Sequence, residues 1–238
     1  MGYYGYYGFY GYDWTYLLVL IGAILSLAAS AKVNSTFNKY ARVRSMCGMT
    51  AAQIARRILD RNGLSDIPVE QVRGNLSDHY DPARRVLRLS DSTYASPSVA
   101  AIGVAAHECG HALQHQQGYK PLIFRNAIVP AANIGSKMGI PLILLGLFFG
   151  AGGSFLVNLG IWVFSLAVLF QIVTLPVEFN ASGRALAMLE DYGILGEQEN
   201  RQAKKVLSAA AMTYVAAAAT AILQLLRLVV LFGRNDRD

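Results

Sequence analysis

Apolar residues in this chain gather into long blocks instead of alternating with polar ones. Residues 16–31 (YLLVLIGAILSLAASA) carry no charge and fall slightly short of the roughly 20 residues a spanning helix needs; Trp14, Thr15 and Val33 extend the block. Residues 138–150 form the shortest block, which can grow backward only through Asn133, Ser136 and Lys137, so it predicts either a span or a re-entrant segment. Residues 155–177 are long and uncharged. Residues 206–232 begin Ala-rich and end Leu/Val-rich, with Arg227 near the end, where a long side chain can snorkel to the interface.

Between the first and second blocks the pattern changes. Ala51, Ile54, Ala55, Ile58 and Leu59 recur at helical spacing after Thr50, a capping residue, and Asn62-Gly63 ends the run. Extended pieces follow near 69–72 and 85–89, where Leu87 and Leu89 alternate with Arg88 and Ser90, and Asp81-Pro82 marks the turn into the second. Ser96-Pro97 then predicts a helix start, with serine as cap and proline in the first turn, leading into an apolar run that stops near Gly118. The expected fold class is mainly α: a polytopic membrane protein of about four transmembrane helices with a small α/β cytoplasmic region. The divisions are 1–15 (Tyr/Gly-rich tail), 16–33 (first span), 34–137 (cytoplasmic α/β region), 138–177 (second and third spans), 178–205 (cytoplasmic segment), 206–233 (fourth span) and 234–238 (tail).

Composition supports this reading. Hydrophobic residues make up 54% and charged residues 15% of 238, and the mean hydropathy is +0.34; a soluble domain carries about 25% charged residues. A chain this apolar collapses, which excludes disorder. Two cysteines, Cys47 and Cys109, make no disulfide framework and are compatible with a reducing compartment. The net charge of +6 does not point to nucleic acid, because the basic residues neither cluster nor interleave with aromatics. It points to topology. Of 21 Lys/Arg, fourteen lie in 32–137 and four more (Arg184, Arg201, Lys204, Lys205) in 178–205, whereas 1–15 and 150–154 have none. Four spans then place both termini outside and both charged regions in the cytoplasm of a multi-pass cell-membrane protein. The start, MGYYGYYGFYGYDW, lacks the basic stretch of a secretory signal. It reads as an aromatic interfacial collar, with self-association through stacking as the alternative.

The chemistry lies in residues 107–111, His-Glu-Cys-Gly-His. On a helix, His107 and His111 are four apart and project from one face, so their imidazoles can converge on one Zn2+. Glu108 is rotated by about 100° and can reach a zinc-bound water as its base without ligating the metal. The alternative is two histidines satisfied by packing. A catalytic zinc needs a third ligand and an open position. The position three turns on that extended motifs give to histidine is Gln117 here, and His115 lies too far along the same helix to share the ion, so it either supports a ligand from behind or is exposed. Glu178, at the end of the third apolar block, is the better third ligand: a charge abutting a long apolar run otherwise costs free energy, and its predicted sidedness matches. An interfacial carboxylate is the alternative. Ser182, four residues on, can hydrogen-bond a zinc histidine and fix its tautomer.

These residues carry a resemblance. Segments 33–44 (VNSTFNKYARVR), 76–82 (LSDHYDP), 86–90 (VLRLS), 100–115 (AAIGVAAHECGHALQH) and 175–184 (LPVEFNASGR) are similar to the YugP-type neutral zinc membrane metallopeptidases, over almost the whole chain after the Tyr-rich start. The resemblance implies a membrane-embedded zinc peptidase with a site like that of the HtpX-like membrane proteases. Those carry an ExxxD third-ligand segment; here the Asp position is Ser182, whose neutral hydrogen bond would be weaker.

Supporting residues are less determined. In thermolysin-like sites an edge strand beside the zinc helix pairs with substrate, and an oxyanion donor is required. His79 or Tyr80 is a candidate donor, against a plain polar turn. Arg184 is another, against pairing with Glu190 or lipid phosphate. Cys109 points off the metal face and reads as packing. The expected function is hydrolysis of peptide bonds in membrane-associated proteins or peptides at the cytoplasmic face, with the bilayer and a protein or peptide substrate as partners and no nucleic acid. A homo-oligomer or membrane partner protein stays open. The rivals are a non-catalytic zinc-stabilised membrane scaffold, which has no need of Glu108, and hydrolysis of a lipid amide or ester by the same chemistry.

Overall fold

A computed structural model describes residues 13–233. Residues 1–12 of the expected aromatic collar and the tail at 234–238 lie outside the described residues. Six α-helices and three strands follow in the order α1 (Tyr16–Tyr40), α2 (Ala51–Arg61), β1 (Val69–Val72), β2 (His79–Asp81), β3 (Val86–Ser90), α3 (Val99–Gln116), α4 (Lys120–Phe148), α5 (Ser154–Asp191) and α6 (Glu197–Phe232), with one 3-10 turn at Gly150–Gly153. The architecture is the mainly helical one expected. α1, α4, α5 and α6 are each long and apolar enough to cross a membrane.

These helices overrun the apolar blocks that announce them. The short block at 138–150 is the second half of α4, a single 29-residue helix about 44 Å long that starts at Lys120 and contains Pro130 and Pro141. Its length suits a span. The third block continues without a break to Asp191, so Glu178, at the end of the apolar run, stands within α5. The long helices pack as a row, α1 on α6, α6 on α5 and α5 on α4. α4 and α5 approach closely because Gly135, Gly139 and Gly160 present bare backbone: a Cβ on Gly135 would lie 2.5 Å from Val163 O, and one on Gly160 2.7 Å from Gly139 O. Large apolar side chains line the outer faces; Trp162 is 74% exposed. Arg227 does not simply snorkel. Its guanidinium donates to Thr15 Oγ1 (3.2 Å), lies 3.5 Å from Asp13 Oδ2 and stacks over Tyr16, so the start of α1 compensates a charge on α6.

The α/β region covers α3. The sheet has order β1–β3–β2, with β1 and β3 parallel and β2 and β3 antiparallel (Tyr80 opposite Leu87). α2 begins with a capping box between Thr50 and Gln53 and ends at Asn62-Gly63, where Gly63 takes φ +72°, a turn conformation glycine adopts freely. Its apolar face (Ile54, Ile58, Leu59) meets Leu87, Leu89 and Ile102 in one fully buried cluster with Leu189 of α5. Each such side chain contributes about 1.5–3 kcal/mol on burial. α3 starts two residues later than Ser96-Pro97 predicts: Ser98 is the cap, accepting from Ala101 N at 3.2 Å. Tertiary pairing explains the shift, because Pro97 O accepts Ser45 N (2.9 Å) and Val99 N reaches Val43 O (2.9 Å), which keeps Ser98 extended. The first half of α3 (VAAIGVAA) is almost wholly buried because its small side chains let α2, α5 and α6 approach from several sides. The helix is therefore held rigidly where His107 begins.

Candidate metal centre

α3 supplies His107, Glu108 and His111, and α5 crosses it with Glu178 and Ser182. Gly110, inside the His-Glu-Cys-Gly-His segment, makes the crossing close. A Cβ there would stand 2.5 Å from Ala181 O and 3.1 Å from Ala181 C, so only glycine permits this contact with α5. The ligating atoms of His107, His111 and Glu178 consequently fall within 4.8 Å of one another and can hold a metal ion. Glu178 Oε2 lies 3.3 Å from His107 Nε2 and 3.5 Å from His111 Nε2, yet neither approach has hydrogen-bond geometry, and this buried oxygen has no donor among the described residues. A carboxylate oxygen buried without a donor, faced by two imidazole nitrogens, is satisfied by a cation. His₂Glu is a known ligand set for zinc.

The rings are held from behind. His111 Nδ1 lies 3.0 Å from Gln114 Oε1, and the fully buried Gln114 amide is oriented because its nitrogen donates to Val177 O (2.8 Å) and Asn180 Oδ1 (3.0 Å). His111 must then carry its proton on Nδ1, which leaves the Nε2 lone pair toward Glu178. His107 Nδ1 lies 3.0 Å from Ser182 Oγ. Burial pushes the His111 imidazole down, but Glu178 and Glu108 beside it outweigh this and raise it above its ordinary value. Arg125 of α4 reaches Glu178 Oε1 at 3.2 Å.

Glu108 is buried, and its Oε2 accepts the Tyr80 backbone N–H at 2.9 Å. Sheet register explains this contact. Leu87 directs its N–H to Pro68 O on the β1 side, so the opposed Tyr80 turns its backbone groups away from β3, outward from the sheet edge toward α3. Two cavities adjoin the site and share His107, Glu108, Glu178 and Tyr214. One of about 560 Å³ lies among α4, α5 and α6; one of about 240 Å³ lies beside α1, α3 and α6.

The expected donors are placed elsewhere. The exposed His79 ring approaches Ser77 O (2.8 Å) and Arg88, though it reaches the rim of the larger cavity. The Tyr80 hydroxyl is 2.9 Å from His115 Nδ1, so only the Tyr80 backbone meets Glu108, and His115 lies outside the cluster of His107, His111 and Glu178. Arg184 donates to Asn180 Oδ1 (2.7 Å) and Gln117 Oε1 (2.6 Å) and lies over Tyr119; Glu190 is taken by Asn200. Cys109 is buried against Ala55 O, and burial pushes its thiol far up. Gln114, three residues beyond His111, has a signal in its helical spacing. Gly110 sits openly within the motif. Arg125 and Tyr214 come from distant helices and have no local signal.

Comparison with known proteins agrees with this arrangement. The family described as "Putative neutral zinc metallopeptidase" matches residues 15–233. "Putative membrane protease YugP" of Bacillus subtilis (strain 168) is 50% identical over 224 residues, covering 94% of this chain and 98% of that protein. No solved structure matches. A chain matched across nearly its whole length, with two histidines and a glutamate gathered to hold a metal, belongs to the neutral zinc metallopeptidase family.

Proposed function

We propose that the protein is a zinc-dependent membrane endopeptidase that hydrolyses peptide bonds of membrane-associated proteins or peptides, with its site at the cytoplasmic face. The observation that carries this reading is Glu108. It is buried beside the three ligands, opens onto both cavities, and has one oxygen held by the Tyr80 N–H. A zinc that only tied two helices together would have no use for such a carboxylate, which favours an enzyme over a scaffold.

His107, His111 and Glu178 would hold the metal, which when bound supplies Lewis-acid polarisation of a carbonyl and acidification of water. The chain's own residues do the rest. Gln114 keeps the His111 imidazole in one tautomer, and Ser182 holds the His107 ring in place. Glu108, pinned through Oε2, has Oε1 free to take a proton from the attacking water and pass it to the leaving amine. Arg125 from α4 and Tyr214 from α6 line the larger cavity beside Glu178 and are the donors nearest to hand for a developing oxyanion. Two cavities adjoining the ligands leave room for chain beyond the scissile bond, which supports cleavage within a chain rather than at its end. The cytoplasmic placement rests on the excess of Lys and Arg in residues 32–137 and 178–205, which hold eighteen of the 21.

The test is Glu108→Gln in the purified, zinc-loaded protein. It should keep zinc at the wild-type stoichiometry and lower turnover of an unfolded membrane-protein reporter by about 10²–10⁴-fold. Glu178→Ala should lose the zinc itself. Equal turnover by Glu108→Gln would remove the assigned base, and no turnover by the zinc-loaded wild type would return the scaffold reading.

A further inference from the structure

The larger cavity extends away from the metal ligands into the apolar part of the helix row. Leu122 and Arg125 of α4, Phe170 and Gln171 of α5, and Thr213 and Tyr214 of α6 line it. α4 and α6 thus flank α5 with a space between them at the site end, whereas at the other end Ile143, Val157 and Leu228 close the same three helices in one buried cluster. Gln171 is the exceptional residue here. It precedes Glu178 by seven positions, which places it on the same face of α5 about two turns, or ~10.5 Å, farther into the span. Thr174, between them, turns its hydroxyl back to Phe170 O (2.8 Å), but no hydrogen bond within the described residues engages the Gln171 amide. A primary amide inside a transmembrane helix is costly unless something in its cavity meets both its donor and its acceptor.

We propose that this cavity admits an extended polypeptide sideways from the bilayer, between α4 and α6, and that Gln171 hydrogen-bonds its backbone about three residues from the bond lying over the metal ligands. The inference rests on the peptidase reading and specifies its substrate: a membrane-inserted segment whose scissile bond lies near the membrane boundary. The spacing follows from geometry, since ~10.5 Å is about three residues of extended chain at roughly 3.3 Å each. A polypeptide suits the lining better than an acyl chain does. Its own N–H and C=O groups must also be satisfied away from water, and Gln171 offers one of each. At the other end, the outward-facing Tyr80 carbonyl on the β2 edge offers an acceptor beside Glu108.

The experiment places a photoreactive benzophenone side chain at Phe170 in the full-length, zinc-loaded Glu108→Gln protein. The protein is reconstituted in phosphatidylethanolamine/phosphatidylglycerol vesicles. One probe is a synthetic polypeptide with a single apolar span followed by a polar tail; the other is the tail alone. Irradiation should give adducts with the inserted probe at its span boundary, and Gln171→Leu should lower their yield about tenfold, the loss of roughly one net hydrogen bond. The same label at Trp162, on the outer face, should give lipid adducts only. Adducts at 170 with acyl chains alone would hand the cavity to lipid and overturn the proposal. So would equal labelling of the soluble tail, or indifference to Gln171→Leu. Turnover of the inserted probe by the unsubstituted protein is followed in parallel. Adducts without turnover would sink the peptidase reading and leave the entry route. Turnover without adducts would sink this inference alone, and neither would sink both.

Discussion

The contact between Gly110 and Ala181 gives the most direct quantitative test of how the metal centre is built. In Gly110→Ala the new methyl would meet Ala181 O at 2.5 Å, Ala181 C at 3.1 Å and Ala181 Cα at 3.2 Å, all backbone atoms that cannot rotate aside. Ordinary carbon contacts begin near ~3.5 Å, so α3 and α5 must part by somewhat under about 1 Å at this point. Ala181 lies between Glu178 and Ser182, and Gly110 beside His111, so the separation acts on the ligands themselves. Metal–ligand distances tolerate only about ±0.2 Å. Zinc affinity should therefore fall about 10–100-fold, or roughly 1.4–2.7 kcal/mol, with a similar loss of fold stability from overpacking. Competition with a chromophoric chelator in detergent measures the first quantity, and denaturant unfolding of the zinc-free protein the second. Gly103→Ala and Gly183→Ala are the controls. A methyl at 103 meets Ala203 Cβ at an ordinary 3.4 Å, and one at 183 meets nothing within 4 Å. If Gly110→Ala binds zinc as tightly as the controls do, the helix crossing does not set the ligand geometry and the reasoning fails.

Further outcomes follow from the same site. Gln114→Leu leaves every ligand in place but frees the His111 ring and strips Val177 O of its donor; zinc affinity should drop about 10–100-fold, and an unchanged value in the chelator assay would show that the ring needs no orienting partner. Because the ligands come from both α3 and α5, free zinc at 100 times its dissociation constant should stabilise the fold by about 2.7 kcal/mol. Chelator should lower the thermal midpoint of the wild type and leave Glu178→Ala unmoved; equal shifts in both would place the stabilising metal elsewhere. Cys109 is fully buried with its thiol pushed far up, whereas Cys47 is half-buried, so a maleimide should label one cysteine in the folded protein and two after denaturation. Rapid labelling of Cys109 in the folded protein would mean that α3 is not packed against α2 as described.

Local signals survived into the structure wherever one element alone decides them. The apolar blocks became the four long helices because backbone polar groups in lipid must be satisfied within the segment. Thr50, Asn62 and Gly63 bound α2 as their chemistry requires. His107 and His111 share a face because four residues are about one turn. What went astray did so through contacts with other elements. The cap moved from Ser96 to Ser98 because Val43 and Ser45 pair with that segment. Tyr80 turned its hydroxyl to His115 and gave Glu108 only its backbone, because Leu87 pairs with the β1 side. The block at 138–150 understated α4, since Gly135 and Gly139 let a more polar stretch pack onto α5.

Membrane character, the capped helices, the metal-binding pair and its attendant glutamate were all legible along the chain, as were Glu178 and Ser182 as their companions. These are properties of short stretches, fixed by periodicity, charge and side-chain chemistry. It took the packing of the helices to show that Gly110 brings α3 onto α5, that Gln114 fixes a tautomer through Val177, and that Arg125, Gln171 and Tyr214 gather around one cavity. Those residues lie on different helices. Their proximity is a property of how the helices cross, and close packing of small residues sets that crossing without leaving a local periodicity to read.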